Sequence, residues 1–177
     1  MNIWHDVDSD RVTPESFIAV VEISKGGQAK YELDKETGRL ILDRVLYTST
    51  HYPQNYGFIP KTYAGDNDPL DVLILCSLPI IPLTIVRCRP IGAIKMVDSG
   101  EADEKIIAIC ENDPTFAEYH SIDDLPQHIF QEIRHFFQVY KTLEGKQTVV
   151  HQIQDRDYAL KLITESIENY KDHFENK

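Results

Sequence analysis

Apolar residues recur in short runs rich in β-branched side chains over the first two-thirds of the chain, at positions 17–23, 30–33, 40–46, 72–75, 84–94 and 106–110. Gly, Pro, Asp and Asn separate these runs, which predicts strands joined by tight turns. Lys25-Gly26-Gly27 and Lys35-Glu36-Thr37-Gly38 have the composition of hairpin turns. The stretch 47–60 is too aromatic and too turn-rich to predict a regular element. After Ser121 the period changes. Ile129, Ile133, Phe136, Phe137 and Tyr140 recur every three to four residues and give one apolar helix face. Ser121 and Asp124 make a capping-box-like opening, with Pro126 in the first turn and Gly145 closing the segment. A short strand at 148–153 leads to a second helix from Asp155, with Tyr158, Leu162, Ile163, Ile167 and Tyr170 on one face. Strands followed by two helices predict an α+β fold, a small barrel with helices packed outside.

The 177 residues suit one domain over 1–177 with a sizeable core. The net charge is −11, from 29 acidic and 18 basic residues. That balance argues against nucleic acid and anionic membranes as partners, because both need basic surface. The N-terminus lacks a basic segment followed by an apolar one, and the longest uncharged run, 72–86, is broken by Pro79 and Pro82. Cys76, Cys88 and Cys110 never pair as CxxC, which predicts reduced thiols in a cytoplasmic protein and no thiolate zinc site.

Chemistry concentrates in Asp66-Asn67-Asp68-Pro69-Leu70-Asp71, three carboxylates on one short loop running into a buried strand. Like charges this close raise one another's pKa unless a cation compensates them, and hard oxygen ligands suit Mg²⁺ or Mn²⁺. The EF-hand reading fails: its sixth and twelfth positions would be Asp71 and Ser77. A second acidic block, 95–105, is either an exposed hairpin tip or a second set of ligands. Lys30 and Glu32 share one strand face, pointing into the barrel mouth or into water. Arg44 lies between apolar residues, where a guanidinium wants a bidentate anion. Nucleotide P-loop, HExxH and GxSxG patterns are absent from the sequence.

Taken together, these segments resemble the soluble inorganic pyrophosphatases of family I, bacterial type. The signature D-x-D-P-x-D stands intact at 66–71. Collinear matches flank it: Glu22, Lys30-Tyr31-Glu32, Asp43-Arg44, Tyr52-Pro53-Gln54-Asn55-Tyr56-Gly57, Arg87-Cys88-Arg89-Pro90, Lys95-Met96, Asp98, Asp103, Lys105, Phe136-Phe137 and Tyr140-Lys141. Ser99 departs from some relatives, which carry another acid there. The resemblance implies a five-stranded OB-like closed β-barrel flanked by two main α-helices. It implies Mg²⁺-dependent hydrolysis of pyrophosphate to two phosphates (Mn²⁺ or other divalent ions being possible) and a homohexamer. Carried over by position, it implies Asp66, Asp71, Asp98 and Asp103 as metal ligands, with Glu32 assisting through water and Glu22 completing the acidic network. Asp68 would be the general base and Tyr56 would sit near the nucleophile. Lys30, Arg44, Lys105, Tyr140 and Lys141 would hold phosphate oxygens. Two other readings stand beside this one: hydrolysis of another phosphoanhydride, and a non-catalytic OB-like binding module.

Overall fold

The computed structural model describes residues 1–176. In chain order its regular elements are β1 (Phe17–Ile23), β2 (Ala29–Leu33), β3 (Leu40–Val45), β4 (Asn55–Phe58), β5 (Asp71–Leu75), β6 (Ile85–Asp98), β7 (Glu101–Ala102), β8 (Lys105–Cys110), α1 (Gln127–Val139), β9 (Thr148–Gln154) and α2 (Arg156–Tyr170). Five strands close into a ring in the order β1-β4-β5-β8-β6, and β6 returns to β1 with Phe17 opposite Cys88. All neighbours in the ring are antiparallel except β5 and β8. The predicted α+β architecture is therefore present, with two helices outside a five-strand ring.

The continuous apolar runs of β5 and β8 follow from burial on both faces. Val72 and Ile74 join Ile106 and Ala108 in a cluster sealed by Ala159 and Ile163 of α2. The alternate residues Leu73, Leu75, Ile107 and Ile109 pack with Phe130, Ile133, Phe136 and Phe137 of α1. The period-of-two rule thus holds, but each face has its own helix.

Four expectations need correction. Lys25–Gly27 turns the chain without making a hairpin, because β1 pairs with β4 and β6 while β2 pairs only with β3. The stretch 47–60 does contain a strand: β4 is only four residues long, yet it is buried throughout and completes the ring. The Ser121 capping box caps a separate single turn, Ile122–Asp124, and Pro126 precedes α1 instead of lying in its first turn. Finally β6 runs on to Asp98, since its second half pairs with β9 and carries the chain to the acidic block. The Lys35–Gly38 hairpin, the strand after Gly145 and the Asp155 start of α2 are as expected. Asp155 accepts the Tyr158 N–H at 3.0 Å.

Gly57 of β4 explains the tightness of the ring. A Cβ there would lie 1.9 Å from the Val20 carbonyl oxygen of β1, so only glycine lets the two backbones approach. At the opposite end of β5, the buried Asp113 carboxylate accepts the Ser77 N–H at 2.6 Å and the Thr115 N–H at 2.9 Å. The Ser77 bond leads in lowering its pKa from the ordinary 3.8 to about 2. Asp113→Ala should cost about 1.5–3 kcal/mol by stranding those donors. Because the folded-state pKa is depressed, this contribution is full above about pH 4 and is lost as pH falls through about 2. Urea midpoints at pH 7 and pH 2.5 check both statements: the gap between wild type and Asp113→Ala should narrow at the lower pH.

Candidate active site

The parallel register of β5 and β8 sets Asp71 directly opposite Lys105, so both strands start at the same end of the ring. Asp98, closing β6, and Asp103, whose N–H bonds to the Met96 carbonyl, reach that end through the β6–β7 turn. The turn needs left-handed backbone at Ser99 and Gly100, and glycine supplies half of it without strain. The loop before β5 holds Asp66 and Asp68 beside them, with Asn67 at φ +65°, a conformation Asn tolerates.

These residues line one cavity of about 270 Å³. Seven carboxylates face it: Glu22, Glu32, Asp66, Asp68, Asp71, Asp98 and Asp103. Lys30, Lys35, Lys105 and Lys141 bring positive charge, and Tyr52, Tyr56 and Tyr140 bring hydroxyls. Lys105 is nearly sealed, its side chain 3 % exposed. Its ammonium donates to Asp71 at 2.7 Å, Asp103 at 2.9 Å and the Tyr56 hydroxyl at 2.8 Å. Tyr56 in turn donates to Asp71 at 2.6 Å. Lys30 donates to Glu32 at 3.0 Å and Asp43 at 3.3 Å, so its place is the cavity and not open water. Lys141 pairs with Asp98, and Glu22 accepts the Leu33 N–H at 2.8 Å.

Crowding shows in the acid–base properties. Burial, and then the Asp71 charge, raise the Glu22 carboxyl to about 8 and the Asp66 carboxyl to about 6. Burial also raises Asp71, despite Lys105 beside it. At Lys105 burial favours loss of the proton, but the Asp103 and Asp71 charges outweigh it and hold the ammonium well above its ordinary value. At Asp98 burial is likewise outweighed, here by Lys141, and its carboxyl lies below the usual range.

One predicted residue is not in the cavity. Arg44 stands opposite Lys30 on β3, but its guanidinium pairs with Asp43 and, through Nε at 2.9 Å, with Glu144. It has found carboxylates instead of a ligand anion, because β3 carries it toward the turn after α1. A second difference concerns range. The acids share a cavity, yet among the described residues no three of them lie close enough to hold one metal ion as placed. The Lys105 ammonium stands between Asp71 and Asp103, and that of Lys141 pairs with Asp98.

The family model for inorganic pyrophosphatase matches residues 19–171. The chain belongs to the inorganic pyrophosphatase family. Soluble inorganic pyrophosphatase 1 of Arabidopsis thaliana is 45% identical over 170 residues, covering 96% of this chain and 80% of that protein. Soluble inorganic pyrophosphatase 2 of Chlamydomonas reinhardtii is 43% identical over 171 residues, covering 97% and 89%. Among solved structures, the inorganic pyrophosphatase of Thermus thermophilus superposes with a TM-score of 0.92 at 37% identity, covering 97% of this chain and 99% of that one. That of Helicobacter pylori gives 0.89 at 39% identity, covering 94% and 99%.

Lining residues of this pyrophosphatase cavity that the sequence does not mark as part of the site include Trp4 and Lys35. Trp4 is buried, with its indole N–H bonded to the Thr62 carbonyl at 2.9 Å. Nothing local marks either residue as part of the site; the signal is their reach across the chain.

Proposed function

We propose that this pyrophosphatase-family chain hydrolyses inorganic pyrophosphate to two phosphates with the aid of divalent cations, Mg²⁺ foremost. The observation that carries the reading is the cavity itself, seven carboxylates and four lysines around about 270 Å³. Pyrophosphate is a compact polyanion with no apolar handle, so a site for it must work by charge. The donor set fits a hard divalent ion: it is all carboxylate oxygen, and burial, followed by the charge of neighbouring acids, raises the pKa of three of its members, Glu22, Asp66 and Asp71. Such an ion would take over the compensation that Lys105 and Lys141 now supply.

Asp66, Asp71, Asp98 and Asp103 would hold the ions, with Glu32 acting through water and Glu22 behind them. When bound, the ions neutralise the substrate and make a water near them more acidic. Asp68 takes the proton from the attacking water, whose oxygen bonds to one phosphorus as the bridging P–O bond breaks. Lys30, Lys105, Tyr140 and Lys141 hold phosphoryl oxygens as charge builds on the leaving phosphate. Tyr56, bonded to both Asp71 and Lys105, orients that pair near the nucleophile. Arg44 would join the phosphate only by leaving Glu144.

A single domain over 1–177 is supported by α2 returning to the ring and by Trp4 packing against Tyr170 at 6.5 Å between ring centroids. Buried, unbridged Cys76, Cys88 and Cys110 support a reducing compartment, the cytoplasm in this proposal. A homohexamer rests on the family resemblance. No helix among the described residues is long and apolar enough to cross a membrane. The acidic cavity and net charge of −11 disfavour a nucleic-acid partner and the OB-like binding module.

Phosphate release separates the readings. Release from pyrophosphate should require Mg²⁺, stop on chelation and return when Mg²⁺ is restored, with ATP turned over far more slowly. Undiminished release in excess chelator, or preference for ATP, would overturn the proposal, as would single-strand DNA binding without hydrolysis.

A further inference from the structure

Lys35 sits in the β2–β3 turn, far from the aspartate loop in sequence, yet its ammonium pairs with Asp68 Oδ1. Among the described residues no other side chain meets that carboxylate, and the loop around it is fixed by main-chain bonds and by Asp66 accepting the Asp68 N–H. Oδ1 thus faces a cation as an ion pair, without a hydrogen bond, while among the described residues no protein group bonds Oδ2, in a residue that lines the cavity.

Lys35 is itself braced from the N-terminus. Its ammonium lies 5.9 Å from the Trp4 ring centroid, within cation–π range. Its main-chain carbonyl accepts from Asn2 Nδ2 at 2.8 Å. The same turn packs so closely on the N-terminus that a Cβ at Gly38 would lie 2.6 Å from the Met1 carbonyl oxygen. Trp4 is anchored in turn by Thr62.

We propose that Lys35 is a positioning residue that aims the Asp68 carboxylate, and that residues 2–4 hold Lys35 in place for that task. The inference rests on Asp68 being the general base. Both side chains of the Lys35–Asp68 pair are about half exposed, 52% and 46%. Pairs so exposed add little to stability. What the pair can control is direction: a base that wanders loses proton-transfer geometry, to which rate is far more sensitive than binding.

The test is steady-state phosphate release from pyrophosphate at saturating Mg²⁺, with thermal melting of every variant. Lys35→Met should lower kcat about tenfold, with KM and melting temperature near wild type, as expected for misplacement of a base. Lys35→Arg should restore most of kcat, and Asn2→Ala should lower it in the same direction by a smaller factor. In an Asp68→Asn background Lys35→Met should cost nothing further, because the residue acts only through that carboxylate. A rise in KM at unchanged kcat would make Lys35 a substrate-binding residue and overturn the proposal. An equal loss in the Asp68→Asn background, or a fall in melting temperature that tracks activity, would overturn it too. Wild-type kcat for Asn2→Ala would remove the N-terminal brace. Failure of the underlying reading shows separately, as a wild type without turnover or an Asp68→Asn variant that keeps it, and sinks both.

Discussion

Asp68→Asn is expected to remove turnover while leaving the protein folded and able to bind Mg²⁺. The loss should be roughly 10²–10⁴-fold in kcat, the usual contribution of a positioned general base. The amide has nearly the carboxylate's shape but accepts a proton poorly. Among the described residues this carboxylate meets only the half-exposed Lys35 ammonium, a pair that adds little to stability. The loop is held by the Ala64 N–H on the Asp68 carbonyl at 2.8 Å, by the Tyr63 hydroxyl on Asn67 at 2.8 Å and by Asp66 accepting the Asp68 N–H at 3.1 Å. None of these bonds uses the Asp68 carboxylate. Pro69 and the buried Leu70 then lead straight into β5. The six other carboxylates of the cavity are untouched. Calorimetric titration with Mg²⁺ and a thermal melt should therefore resemble wild type while phosphate release collapses. A variant within about tenfold of wild-type kcat would take Asp68 out of the base role.

Much of this molecule is legible in its sequence. The change of period after Ser121 separates strands from helices because burial writes itself into sequence at 2.0 and 3.6 residues. Strand pairing was not legible. Lys25-Gly26-Gly27 looks like a hairpin turn, but a turn fixes only local direction, and β1 finds its neighbours in β4 and β6, which lie far along the chain. β4 was hidden for a related reason. Its residues alternate strand-averse Asn55 and Gly57 with strand-favouring Tyr56 and Phe58, too short and mixed a run to stand out, and the ring imposes extended structure from both sides.

The site divides in the same way. Asp66, Asp68 and Asp71 stand out because three charges on one loop are costly without compensation, a fact that needs no fold. Their convergence with Asp98 and Asp103 came only through the family resemblance. The registers of β5, β6 and β8 are what accomplish it. Arg44 is the predicted residue that does not line the cavity, its guanidinium paired with Asp43 and Glu144. Lys35 and Trp4 show the opposite case: ordinary surface and core residues by local pattern, they enter the cavity through contacts between distant segments.

Lys105→Met is expected to be the most destabilising single change at the site, by about 3–5 kcal/mol in the presence of chelator, the usual cost of removing one partner from a buried ion pair. The methionine stem keeps the packing of the original beside the Tyr56 and Phe137 rings, so cavity formation adds little. What disappears is the ammonium that Asp71, Asp103 and the Tyr56 hydroxyl share. Asp71 then remains next to Glu22 and Asp66, both already pushed toward protonation by burial and by the Asp71 charge. A bound divalent ion can stand in for the lost charge, since ligands that bind only the folded state stabilise it by mass action. Urea midpoints in chelator and in millimolar Mg²⁺ should thus lie much closer to each other for wild type than for Lys105→Met. Equal Mg²⁺ responses in the two proteins would mean that the ion and the ammonium serve different carboxylates, and Asp71 and Asp103 would lose their assignment as ligands.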